Sequence, residues 1–293
     1  MPKRPIARRV QNPYIRPMTT SYDIAIVGGG LVGLTAALAC ASKGASVIVL
    51  DREDPAKHMD AAFDGRASAI AASSFQMYRH LGIAKTLGEN VQPITDILIT
   101  DGETGQAASP LSLHFDSRDV DGMPMGYMVE NRRLRQALLS TVKDSENIEL
   151  RAPVNIRAIE RKPEHAVITL DTKQKIMVQL IVAADGRNSF CRQQAGIDVT
   201  TMPYAQKAIV TTVKHEKPHL GVAHELFLPS GPFAILPITG DRSSIVWTDS
   251  PRAVDAAMAL PDEAFASELA RRFGDFLGTV EPCAPRWSYP LSL

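Results

Sequence analysis

Along this chain, short unbroken apolar runs bounded by glycine or polar turns alternate with stretches in which apolar positions return every three or four residues. The first kind predicts buried strands and the second predicts helices. Asp23-Ile24-Ala25-Ile26-Val27 and Val47-Ile48-Val49-Leu50 read as strands, and the small-residue segment from Leu31 to Lys43 as a helix stopped by Gly44. From Ser68 to Leu87 the spacing of Ile70, Phe75, Met77, Tyr78 and Leu81 predicts helix, with a local end at Gly82. Residues 94 to 100 and 111 to 115 read as strands joined by the turn-rich Asp101-Gly102-Glu103-Thr104-Gly105, and Glu130 to Val142 returns to a helical period. A meander of Val154 to Ile159, Ala166 to Leu170 and Ile176 to Ala184 follows. Beyond Thr200, the runs Ala208 to Val213, Ala223 to Leu228, Phe233 to Ile238 and Ser243 to Thr248 predict an antiparallel sheet. A helix from Asp262 to Phe273, set between Pro261 and Gly274, closes it.

These elements predict an α/β fold in two parts. A Rossmann-like nucleotide-binding domain with a β-meander takes residues 21–95 and 127–200. A mostly antiparallel sheet domain, expected to hold the substrate, takes 96–126 and 201–286, and 287–293 begins a return to the first domain. Residues 1–20 carry Lys3, Arg4, Arg8, Arg9 and Arg16 among prolines and read as a disordered basic tail. Those prolines spoil the amphipathic helix of a transit peptide, and Met18 is a candidate start.

The chemistry is densest at Gly28-Gly29-Gly30-Leu31-Val32-Gly33, between the first strand and the first helix. Gly28 allows the tight turn, Gly30 lets the backbone approach a pyrophosphate, and Gly33 lets the helix lie close on the strand. The helix starting at Leu31 aims its free N–H groups at the phosphates, while Asp51, followed by Arg52, can hold a ribose hydroxyl at the end of the second strand. The loop does not decide between FAD and NAD(P). A second strand end, Ile181-Val182-Ala183-Ala184-Asp185-Gly186-Arg187-Asn188-Ser189, repeats the arrangement with Asp185 and Gly186 before a new helix.

Taken together, the two motifs resemble those of the FAD-dependent aromatic hydroxylases typified by para-hydroxybenzoate hydroxylase. The resemblance spans residues 22 to 293. It implies that Asp185 and Gly186 lie near the flavin pyrophosphate, that Arg66 in Asp64-Gly65-Arg66-Ala67-Ser68 contacts FAD, and that Asn131 and Arg132 begin a further cofactor-contacting helix. Gly231-Pro232-Phe233-Ala234-Ile235-Leu236-Pro237 with Ser244-Ile245-Val246-Trp247, and the closing Trp287-Ser288-Tyr289-Pro290-Leu291-Ser292-Leu293, look most like the ubiquinone-biosynthesis branch. The expected activity is hydroxylation of a polyprenylated phenol by O2, with FAD as cofactor and NAD(P)H or another reductant as electron donor. The family's third motif, a Gly-Asp followed by Ala-Ala-His, is missing: neither Gly240-Asp241 nor Gly274-Asp275 opens the required loop. The chain is therefore expected to be the N-terminal part of a hydroxylase. A hydroxylase of a small soluble aromatic and a flavin-free scaffold remain open alternatives.

Charge and composition narrow the partners. Acids and bases balance at 32 each, which gives no overall attraction to nucleic acid. No apolar run reaches the roughly 18 residues needed to cross a bilayer, so the expectation is a cytoplasmic protein, peripheral to the inner face of the membrane or to a biosynthetic complex. Cys40, Cys191 and Cys283 lie far apart and suggest neither a disulfide framework nor a cysteine metal site. His215-Glu216-Lys217-Pro218-His219 matches the zinc-protease pattern, but Pro218 breaks the helix that would bring both histidines to one face, so no metal is expected. By resemblance, His224, Glu225 and Pro237 are the candidates for contacting a phenol, with a polar pair on a solvent face as the plainer reading of the first two. No catalytic side chain is named by the sequence.

Overall fold

The computed structural model describes residues 20–55, 57, 64–106, 109–119 and 121–292. The expected tail, including Met18, lies outside the described residues save for Thr20. β1 (Thr20–Val27), α1 (Leu31–Ala41) and β2 (Val47–Leu50) form the opening unit, with both strands parallel and Val27 opposite Leu50. The helix ends two residues before the expected Lys43, and Gly44 takes a positive φ of 87° in the turn that follows.

The next segment departs from the helix expected over 68–87. It holds β3 (Ala67–Ala71), α2 (Ala72–His80) and α3 (Ile83–Leu87). β4 (Gln92–Ile94), β5 (Asp96–Asp101), β6 (Ser112–Asp116) and β7 (Gly126–Glu130) follow, before α4 (Asn131–Lys143). Residues 67–71 are strand because β7 pairs along them from Ala67–Glu130 to Ala71–Gly126, and this ladder overrides a local pattern too poor in large side chains to set its own period. β8 (Ile148–Arg151), β9 (Ile156–Arg161), β10 (Ala166–Leu170), β11 (Lys175–Ala183) and the short α5 (Phe190–Gln194) complete this half.

The rest comprises β12 (Pro203–His215), β13 (Val222–Leu228), β14 (Gly231–Ile238), β15 (Arg242–Asp249), α6 (Pro251–Met258), α7 (Asp262–Phe273), β16 (Val280–Pro282) and β17 (Trp287–Ser292).

Three sheets result. The six-stranded one has the order β8-β2-β1-β11-β10-β9, parallel in its first four strands and antiparallel through the meander. Ile26 and Val49 face α1 and α4 on one side, while Ala25, Val27, Ile48 and Leu50 face Ile159, Ile168 and Ile176 on the other. Full burial of a Leu or Ile side chain contributes about 1.5–3 kcal/mol, so this two-sided packing holds both motif turns on a rigid base. The eight-stranded sheet runs β16-β12-β15-β14-β13-β5-β6, with β17 also on β12. Helices α6 and α7 cover one of its faces through Val254, Phe265, Leu269 and Phe273 against Phe233, Ile235, Ile245 and Trp247.

The small sheet β3-β7-β4 stands between the other two, and Ile94 and Met128 pack on Ala223 and Ile238 of the large one. A buried ion cluster reinforces that junction: Glu130, 5% exposed, accepts from Arg132 and Arg242, each at 2.8 Å. Segments 96–126 and 201–286 thus share a sheet. Residues 287–292, expected to rejoin the first domain, instead add β17 to the large sheet, where its backbone finds the free edge of β12. Contacts also reach back from it: the Trp287 indole N–H donates to the Asp64 carbonyl at 2.6 Å, and Arg187 donates to Ser292 at 2.6 Å.

Candidate functional site

β1 and β11 are parallel neighbours, with Val27 opposite Ala183, so the two motif turns leave the sheet side by side at its carboxyl edge. Between them opens a cavity of about 420 Å³. Gly28, Gly30, Asp51, Arg52, Asp185 and Gly186 line it, six of the residues expected at a cofactor site.

The glycines divide by role. A Cβ on Gly28, whose φ is +105°, would sit 2.3 Å from the Ala184 carbonyl oxygen, and one on Gly33 would sit 1.9 Å from that of Gly28. These two positions serve the close passage of loop, helix and second turn. Gly30 and Gly186 differ, since a Cβ on either would meet no protein atom within 4 Å. Their bare backbones face open space in the cavity, beside the N–H groups at the start of α1, which has no side-chain cap. That is the cradle a phosphate requires.

The acids are anchored. Asp51 accepts the Gly29 N–H through one oxygen and that of Glu53 at 2.7 Å through the other, which ties the glycine loop to the end of β2. A carboxylate offers about four acceptor positions, so capacity for a sugar hydroxyl remains. Asp185 accepts from Ser189 at 2.5 Å and from the Cys191 N–H at 3.0 Å, capping α5. Burial pushes the Asp185 carboxyl up, but the hydrogen bonds from Ser189 and from the backbone outweigh it and hold the group below its ordinary value. The neighbouring Cys191 thiol is pushed up to about 12, first by burial and then by Asp185, and is 4% exposed.

Five other expected residues do not line the cavity. Leu31 and Gly33 lie in the helix packing behind the loop, Leu31 against the core. Arg66 is held by Asp64, with its Nε at 2.7 Å, and its guanidinium sits 5.4 Å from the centre of the Trp287 ring. Asn131 donates its backbone N–H to the Arg66 carbonyl at 3.0 Å and accepts from Ser68, and Arg132 is turned to Glu130. These three gather at the start of α4, one turn from Arg135, which does line the cavity. Sequence reading missed Arg135, although it stands four residues after Asn131 on the same helix face. It also missed Asn188, inside the second motif, and the apolar wall of Leu139, Leu150, Val154 and Ile156, whose runs read only as core.

The substrate candidates separate. Successive side chains of a strand point to opposite faces, so His224 and Glu225 on β13 lie on opposite sides of the large sheet. His224 shares the helix-covered face with Pro237, its ring centre 4.4 Å from that of Phe276, and burial pulls the imidazole down to about 4. Glu225 faces the other way. The zinc-like histidines are structural: His215 contacts the Lys217 carbonyl at 2.7 Å and Ser243 at 3.2 Å, while His219 contacts the Ile238 and Gly240 carbonyls and accepts the Gly221 N–H.

A parallel sheet ending in a glycine cradle, an anchored acid and a second turn against the first define a dinucleotide-binding α/β protein. The chain belongs to the FAD binding domain family, whose sequence profile matches residues 21–283. Over 271 residues it is 49% identical to the ubiquinone hydroxylase UbiL of Rhodospirillum rubrum, covering 92% of this chain and 62% of that protein. It is 33% identical to the 3-demethoxyubiquinol 3-hydroxylase of Escherichia coli, covering 92% and 68%. The chain thus spans under two thirds of the length of the first relative. In fold it is similar to Pseudomonas aeruginosa PqsL in complex with 2-aminobenzoylacetate, with a TM-score of 0.72 at 19% identity over 90% of this chain and 73% of that one. Among the described residues no helix is long and apolar enough to cross a membrane.

Proposed function

We propose that the protein to which this chain belongs is an FAD-dependent monooxygenase that hydroxylates a polyprenylated phenol in ubiquinone biosynthesis. The observation that carries this reading is the closure of one cavity by two turns more than 150 residues apart, each presenting a glycine backbone to open space, in a chain so similar to a ubiquinone hydroxylase. In this reading the Gly30 and Gly186 backbones and the α1 N-terminus take the pyrophosphate, Asp51 takes a ribose hydroxyl, and the Leu139, Leu150, Val154 and Ile156 wall takes the adenine. Arg66, Asn131 and Arg132 stand further along towards the flavin. Bound FAD supplies the activation of oxygen; the side chains hold the cofactor, orient the ring and exclude water. NAD(P)H is the proposed reductant, and a prenylated substrate places the protein at the inner face of the membrane as a peripheral partner.

The test uses the chain extended to the length of its relatives. Supplied with FAD, NAD(P)H and isotopically heavy O2, it is expected to put one heavy oxygen on a prenylated phenol, read by mass spectrometry. Absence of flavin from the protein after soaking, or of labelled product, refutes the proposal.

A further inference from the structure

The registers of the large sheet bring seven residues into one row on the face away from α6 and α7: Trp287, Val210, Val246, Ala234, Glu225, Ile99 and Leu113. Six are apolar, and Glu225 is the exception. The neighbouring row is covered by the small sheet, through Ile94 and Met128 on Ala223, Leu236 and Ile97. This row is open at its ends, where Leu113 is 55% and Trp287 38% exposed, and half-buried along its middle apart from the buried Ala234. Among the described residues Glu225 makes no side-chain hydrogen bond or ion pair, while its cross-strand neighbours Ala234 and Ile99 offer it none. A half-buried carboxyl set among apolar side chains costs stability unless a partner arrives, and sites that break the local rule in this way are where function concentrates.

Resting on the hydroxylase reading above, we propose that Glu225 is a catalytic base that accepts the phenolic proton of a substrate ring lying on this row. The phenol O–H bond breaks as the carboxyl O–H bond forms, and the electron pair stays on the phenol oxygen, which raises the electron density of the ring that takes up the new oxygen. Two electrons from NAD(P)H and one O2 leave one oxygen on the ring and one as water. Burial shifts the Glu225 carboxyl upward, towards the range in which a base is efficient near neutrality. The other ionisable side chains on this face are Asp101 on β5, Arg242 on β15, Lys214 on β12, Glu281 on β16 and Tyr289 on β17. Arg242 is engaged by Glu130 at 2.8 Å.

The experiment compares the extended, FAD-loaded protein with its Glu225→Gln variant. The variant is expected to keep its flavin content, its melting temperature and, within about threefold, its affinity for the prenylated phenol, while hydroxylation falls about 100-fold and NAD(P)H oxidation is diverted to hydrogen peroxide. The unmodified protein should show an acid limb in kcat/KM against pH that Glu225→Gln lacks and Glu225→Asp restores. Equal hydroxylation rates with an unchanged pH profile overturn the role of Glu225 and leave the hydroxylase reading standing. If Glu225→Gln fails to fold, the profile of the unmodified protein decides, and a profile without an acid limb overturns the role. An unmodified protein that hydroxylates no phenol overturns both.

Discussion

Replacing Gly30 with valine separates cofactor binding from folding. Gly30 has φ −75° and ψ −176°, a backbone conformation open to any residue, and a Cβ there meets no protein atom within 4 Å. The only folding cost is a poorer helix N-cap, under about 1 kcal/mol, or at most a few degrees of melting temperature in a chain of this size. The added side chain points into the space assigned to the pyrophosphate. Moving the phosphate off two charge-assisted N–H bonds forfeits about 1.5–3 kcal/mol each, and a loss of about 3–6 kcal/mol corresponds to roughly 150-fold to 20,000-fold in Kd. Fluorescence titration of the apoprotein with FAD, beside thermal melts of both proteins, measures the two quantities independently. A variant that melts normally and binds FAD with unchanged Kd would falsify the placement of the cofactor.

Gly33→Ala should act in the opposite manner, because its Cβ would lie 1.9 Å from a backbone oxygen; α1 must lift from β1, and a loss of about 3 kcal/mol or more is expected, which an unchanged melting curve would contradict. Glu130→Gln removes the charge shared by Arg132 and Arg242, and its urea midpoint should correspond to a loss of about 2–4 kcal/mol; a change below about 0.5 kcal/mol would show the cluster to be dispensable. Asp185 has a depressed pKa in the folded state, so its stabilisation is present above the ordinary carboxyl value near 4 and fades as pH falls through the folded value. Asp185→Asn should therefore melt earlier than the unmodified protein at pH 7, with the gap closing in acid; a gap independent of pH would count against this account.

Much of the first half was legible because its signals are local. The strand, glycine loop, helix and terminal acid from Asp23 to Asp51 each carry their own reason, and they fold where expected. β3 was not legible: Ala67-Ser68-Ala69-Ile70-Ala71 has no side chain large enough to mark a period, and its state is set by β7, some 60 residues away. The helix Pro251–Met258 could have been found, since Ser250 caps it at 3.3 Å and Pro251 fills its first turn. For the site, the sequence named residues but not the face each would take. His224 and Glu225 look like a pair on paper, and the strand's alternation separates them. Arg66 carried a motif that includes its partner Asp64, whereas the Trp287 ring beside it comes from a part of the chain that no spacing connects.

The excursion of β5 and β6 into the large sheet also bears on how the chain is made. β5 pairs in parallel with β13, and about 120 residues lie between Asp101 and Val222. At a synthesis rate of about 5–20 residues per second, a ribosome takes roughly 6–24 s to deliver the second strand after the first. Throughout that interval the early hairpin presents an unsatisfied edge bearing Ile97 and Ile99, which makes the nascent polypeptide a client for holding factors until translation passes Leu228.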